Sequence, residues 1–154
     1  MNNSAIAKVL GLCLVSTAGH AQTAQTETNR TVVIRFYNAL VQGDVTTLQA
    51  LGRPDYIQHN PAFQTGLAGL IKRINERPAR PPGSAPIPPL EFVRTAAEGD
   101  FVWLLRKMPP PEPSKERANV DIFRVQDGKV AEHWDYQETV PRGEEPPKND
   151  NGRF

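Results

Sequence analysis

The sequence is poor in cysteine, histidine and long apolar runs, and each shortage closes off a class of protein. Of 154 residues, one is cysteine (Cys13) and three are histidine. No apolar stretch approaches the ~20 residues a membrane-spanning helix needs. Charge of one sign is missing too: 18 Lys and Arg face 17 Asp and Glu, for a formal charge of +1. Near-neutrality without a charge run argues against a nucleic-acid binder that works by neutralising phosphates. There is no glycine-rich phosphate loop, no dinucleotide fingerprint and no Gly-x-Ser-x-Gly. Length and composition suit one globular domain.

The first residues read as a leader. A short polar stretch ends at Lys8, Val9 to Val15 is apolar, and Ser16 to Ala21 is small and mostly uncharged. Gly19-His20-Ala21 offers small residues where a signal peptidase cuts, so cleavage is expected before Gln22, with a periplasmic or secreted product. Leu12 is bulky ahead of Cys13, which argues against a lipid anchor there. The mature chain then lacks cysteine, which excludes disulfides, thiol catalysis and Cys-bound metals. Loss of Lys8 leaves equal numbers of acidic and basic residues. The two histidines left, His59 and His133, form no His-x-x-x-His pair, so a zinc site is not expected.

Residues 22–28 are polar and read as a flexible lead-in; the domain is expected over 29–140. From Asn29 the pattern is helical: Val33, Phe36, Tyr37, Leu40 and Val41 recur at one-face spacing. Gly43 ends this helix and Asp44 can cap a short second one through Val45, Leu48 and Leu51, stopped by Gly52 and Pro54. Asp55 to Asn60 reads as extended. Thr65-Gly66 opens a third helix with Leu67, Leu70, Ile71 and Ile74 inward. Six prolines between 78 and 89 mark a surface loop. Strands follow at Glu91–Ala97, Phe101–Met108, Ala118–Val125 and Val130–Gln137. Asp127-Gly128 between the last two is a strong hairpin turn. The residues from Pro141 onward read as a polar tail. Early helices and late strands indicate α+β, with three N-terminal helices on a curved antiparallel sheet and a pocket at its open end.

If Asp127 and Gly128 alone make the turn, Ile122 faces His133 and Val120 faces Asp135. His133 and Asp135 then share a face with Val120, Ile122 and Ala131, away from Asp121 and Phe123; a single bulge would swap part of this. His and Asp two apart on one strand face can form an acid/base pair, or a hydrogen-bonded pair at a sheet end or interface. His59, in Tyr56-Ile57-Gln58-His59-Asn60-Pro61, fits turn chemistry and equally a pocket mouth. Asp121 is polar in an apolar strand, either a pocket residue or an arginine's partner. Trp103, Trp134, Phe36 and Tyr37 read as core.

These segments resemble the SnoaL-like branch of the nuclear transport factor 2-like superfamily. The resemblance rests on Tyr56 to Pro61 followed by Gly66 and a helix, Ala97-Glu98-Gly99-Asp100 and Val120 to Val125. It rests also on Asp127 to Val130, Glu132-His133-Trp134-Asp135 and the closing Asn149 to Phe154. It covers residues 29–154 and implies a cone-shaped α+β fold, a pocket between sheet and helices, and a homodimer. Relatives include polyketide cyclases and epoxide hydrolases that work without metal or organic cofactor through a pocket Asp. By that resemblance Asp135 is the acid/base, His133 its neighbour, and His59 a pocket-lining residue. Pro86, Pro88, Pro89 and the proline-heavy loop 109–113 depart from the pattern.

Two functions follow. One is an exported enzyme doing acid/base chemistry on a small hydrophobic or carbonyl compound: aldol-type cyclisation, isomerisation or hydrolysis. Asp135 moves the proton, His133 tunes it and His59 steadies an oxyanion. The other is a non-catalytic ligand-binding or dimerisation module. Neither calls for nucleic acid, a stable membrane anchor, a metal or an organic cofactor.

Overall fold

The computed structural model describes residues 16–108, 116–140, 148–149 and 154. Three helices, α1 (Ser16–Gln42), α2 (Val45–Leu51) and α3 (Leu67–Asn75), accompany five strands. The strands are β1 (Gly52–Gln58), β2 (Arg94–Glu98), β3 (Phe101–Met108), β4 (Glu116–Gln126) and β5 (Lys129–Val140). They form one sheet in the order β1-β5-β4-β3-β2. The architecture is α+β, as expected.

Two features differ from the sequence reading. First, the sheet is mixed rather than antiparallel: β1 pairs with β5 in parallel, while the other neighbours are antiparallel. After β1 the chain crosses to the far edge and returns through three reversals, which brings β5 back running the same way. β1 begins at Gly52, and Pro54 sits within it. An edge strand can hold a proline because one row of its backbone groups has no strand partner.

Second, the segment 22–28 continues α1 instead of forming a separate lead-in. Its polar side chains suit a solvated helical turn. Thr26, Thr28 and Thr31 hydroxyls donate to the carbonyls of Thr23, Ala24 and Glu27. Asn29 is buried and its Nδ2 donates to the Gly99 carbonyl at 3.0 Å, fixing α1 to the β2–β3 turn. The first 15 residues of the expected leader, residues 109–115 with the expected proline-heavy loop 109–113, and most of the expected tail lie outside the described residues.

The core lies between α1 and the inner sheet face. Val33 and Phe36 of α1 meet Val102, Leu104, Phe123, Val125 and Val130, all almost fully buried. Gly52 is where α2 turns into β1. A Cβ there would come within 2.9 Å of Phe36 and 2.8 Å of Leu67, so only glycine lets the helix, the strand and α3 converge. Asp44 caps α2 by accepting the Thr47 N–H at 3.0 Å. Asp127 and Gly128 both take positive φ (52° and 73°), the twist a two-residue hairpin needs.

Past that turn the register changes. Val125 still faces Val130, but Arg124 faces Glu132, so Ala131 is an extra residue and the strands are bulged. From there Phe123 faces His133 and Asp121 faces Asp135, not Ile122 and Val120 as simple counting predicts. Alternation along β4 puts Val125, Phe123 and Asp121 on the inner face together, and the extra residue in β5 keeps Val130 inward while turning His133 and Asp135 to that same face. The burial of three apolar side chains thus decides where both carboxylates go.

Candidate functional site

A cavity of about 230 Å³ opens between the inner sheet face, α1 and α3. Its sheet wall carries Gln58 from β1, Arg106 from β3, Asp121 from β4, and His133 and Asp135 from β5. Leu40, Val41, Phe63, Leu70 and Met108 supply apolar surface.

Asp121 is 1% exposed, and donors surround it. Its carboxylate accepts from the Tyr37 hydroxyl (3.0 Å), Arg106 Nε (3.1 Å) and Asn119 Nδ2, and lies 3.1 Å from His133 Nε2. Charge-assisted bonds of this kind offset the desolvation of a buried carboxylate. Burial, and then the Asp121 charge, push the Tyr37 phenol far above its usual range, so it stays protonated and donates. The Arg106 guanidinium also lies over the Tyr37 ring, 5.0 Å from its centre.

Asp135 is different. It is partly exposed to the cavity. Asn60 Nδ2 donates to both of its oxygens, at 2.8 and 3.0 Å. The Asn60 amide is oriented because its Oδ1 accepts the Ala62 N–H at 2.9 Å, leaving Nδ2 for Asp135. Gln58 Oε1 in turn accepts the Asn60 N–H at 2.9 Å and lies 3.1 Å from His133 Nδ1. An oxygen already receiving an N–H offers His133 only lone pairs, so Nδ1 carries the proton. His133 therefore spends its ring nitrogens on Gln58 and Asp121, and reaches Asp135 only through Gln58 and Asn60.

His59 is not in this pocket, and the expectation that it lines the mouth is corrected. It stands on the outer side of the sheet. Its ring stacks on Trp134 with centroids 4.4 Å apart, and Nε2 lies 3.2 Å from Glu132. Residues along a strand alternate faces, so Glu132 and Trp134 point opposite to His133 and Asp135, and His59 at the end of β1 joins them. Burial raises the Glu132 carboxyl, but hydrogen bonds from Arg124 and His59 outweigh it and the net shift is downward. Trp103 and Trp134 likewise belong to this outer, half-buried face rather than to the core. Among the described residues, no group of three or more His, Cys, Asp or Glu side chains is placed to hold a metal ion.

Residues 33–133 match the SnoaL-like domain family. The chain belongs to that family. A comparison with curated proteins found no match. Solved structures confirm the fold of this SnoaL-like domain. A candidate ketosteroid isomerase from Kribbella flavida is 21% identical, with 81% of this chain and 86% of that chain covered and a TM-score of 0.58. An LEH-like epoxide hydrolase from M. tuberculosis is 22% identical, with 74% and 85% covered and a TM-score of 0.55. An NTF-2 like protein of unknown function from Burkholderia xenovorans is 20% identical, with 78% and 88% covered and a TM-score of 0.53.

Several pocket residues of the SnoaL-like domain escaped the sequence reading. Tyr37 fits the apolar stripe of α1, and only its hydroxyl reaches the polar cluster. Asn60 before Pro61 reads as turn chemistry, yet its amide does both jobs: it shapes the turn and holds Asp135. Gln58 and Arg106 had no distinguishing signal, apart from the alternation that places both on the inner face.

Proposed function

We propose that this SnoaL-like domain binds a small carbonyl compound and moves a proton at the carbon beside the carbonyl, with Asp135 as the acid/base. The observation that carries the reading is Asp135 itself. It lines a cavity, it is held at both oxygens by one fixed amide, and among the described residues it has no cationic partner. A carboxylate so placed keeps lone pairs for a ligand proton. Removing that proton leaves negative charge on the carbonyl oxygen. Arg106 spends Nε on Asp121 and has guanidinium N–H groups left to receive it, the role His59 is too far away to play. His133 is a positioning residue in this scheme, acting through Gln58 and Asn60. Isomerisation and aldol-type closure both begin with such a step.

The test is solvent deuterium uptake into a ketone probe, followed by turnover once a substrate is found. Wild type should exchange, and Asp135→Asn should be slower by about 10²–10⁴-fold with an unchanged melting temperature. A ligand bound unchanged, with affinity indifferent to Asp135, would favour the binding-module reading instead.

We also take the protein to be exported and dimeric. Cleavage before Gln22 would remove the first six residues of α1 and leave its buried residues Asn29, Val33 and Phe36 in the mature chain. The outer sheet face carries exposed Ile57, Phe101 and Tyr136, an apolar surface a second copy could cover. Fractionation of the expressed chain and sedimentation of the mature one check these two points.

A further inference from the structure

The pocket carries two cations that the acid/base scheme does not use. Arg73 on α3 and Arg77 just beyond its end both line the cavity. The Arg73 guanidinium lies 4.1 Å from the centre of the Phe63 ring. Arg77 Nη1 donates to the Val41 carbonyl at 3.0 Å. Neither has a carboxylate partner among the described residues. Glu76, between them in sequence, lies 3.8 Å from Lys72 instead. The third cavity arginine, Arg106, is already paired with Asp121. Partial burial, then repulsion from Arg73, lower the Arg77 guanidinium from its ordinary value, and no acidic group opposes them.

The cavity is therefore polarised. Its sheet side presents the cation-free carboxylate of Asp135, and its helix side presents two guanidiniums without a counter-charge. Each arginine is braced, one by an aromatic ring and one by a backbone carbonyl, and each keeps N–H donors free. A guanidinium matches a carboxylate with paired, parallel hydrogen bonds, and bracing reduces the entropy lost on binding. The volume, about 230 Å³, lies below the ~300–1,000 Å³ of pockets for drug-sized ligands.

We propose that Arg73 and Arg77 form a carboxylate-binding subsite, so that the ligand is a small organic acid. Its carboxylate sits at α3 and its carbonyl end faces Asp135. The second half of that statement rests on the acid/base reading, whereas the subsite itself does not.

The probe is 4-oxo-4-phenylbutanoate beside its methyl ester, titrated calorimetrically into the full chain. Wild type should bind the acid about 10-fold or more tighter than the ester, and Arg73→Gln/Arg77→Gln should reduce the gap to about twofold or less. Asp135→Asn should keep the preference for the acid. Equal affinity for acid and ester would overturn the subsite. So would a preference that survives in the double variant, or no acid binding at about 10 mM. If the double variant does not fold, salt decides: a preference that does not shrink between about 50 and 500 mM NaCl also overturns it. Deuterium uptake into the same probe separates the two readings. Uptake equal in wild type and Asp135→Asn, with an arginine-dependent preference for the acid, would sink the acid/base scheme and leave the subsite standing.

Discussion

Asp121 and Asp135 face each other across β4 and β5, and their surroundings give them opposite work. Asp121 is sealed in and held by three donors, a hydroxyl, a guanidinium and an amide, with the His133 ring against it. Nothing is left over for a ligand, and its loss would strand charges in the core. Asp135 sits partly open to the cavity, oriented by amides rather than paired with a cation. The same side chain is thus a structural anchor in one strand and, in the next, an open carboxylate of the kind the proposed acid/base scheme needs. The difference lies in how many donors the fold aims at each.

That contrast can be broken from either end. Asp121→Ala should be the most damaging change, costing about 3–5 kcal/mol in urea denaturation, because Arg106 loses its buried counter-ion and Tyr37 and Asn119 lose their acceptor. A loss under ~1 kcal/mol would show that solvent reaches the cluster after all. Asp135→Asn should do the reverse, leaving denaturation within ~0.5 kcal/mol of wild type while proton exchange collapses as stated above. Tyr37→Phe removes one neutral donor to a charged acceptor and should cost about 1.5–3 kcal/mol.

Tyr37 also gives a pH signature. A tyrosine in the unfolded chain ionises near 10.0, whereas the buried phenol stays protonated well above that. The raised folded value means its stabilisation is present below pH 10 and is lost as pH rises past it. Wild type should therefore lose stability above pH 10 more steeply than Tyr37→Phe, and parallel base limbs would count against it. The smallest effect is expected outside the pocket. His59→Ala should leave exchange rates unchanged and cost under about 1 kcal/mol, since its pair with Glu132 is half-exposed. A large loss of exchange would place His59 in the chemistry despite its outward position.

The helices were legible because their signals are local. Asp44 caps, Gly43 terminates, and the Val33–Phe36–Tyr37 stripe repeats at helical spacing whatever the rest of the chain does. The hairpin at Asp127-Gly128 was legible for the same reason, since two positive φ angles demand those residue types. What local pattern could not supply was the parallel pairing of β1, a contact between segments over 70 positions apart. It could not supply the bulge at Ala131 either, and with it the turning of His133 and Asp135 to the face that carries Asp121. His59 was misplaced by the same gap: its neighbours in sequence said turn, and only the β1–β5 pairing says which side of the sheet.

The sequence by itself determined an α+β domain, the order of its elements, and the pairing of His133 with Asp135 on one strand face, because alternation and helical periodicity are properties of a single segment. Tertiary structure alone decided that Asp121 joins them and that His59 does not. It also decided that Asn60 holds Asp135 and that two arginines from the α3 region share their cavity. Those facts depend on register between distant strands, and register is set by which apolar side chains the assembled core can bury.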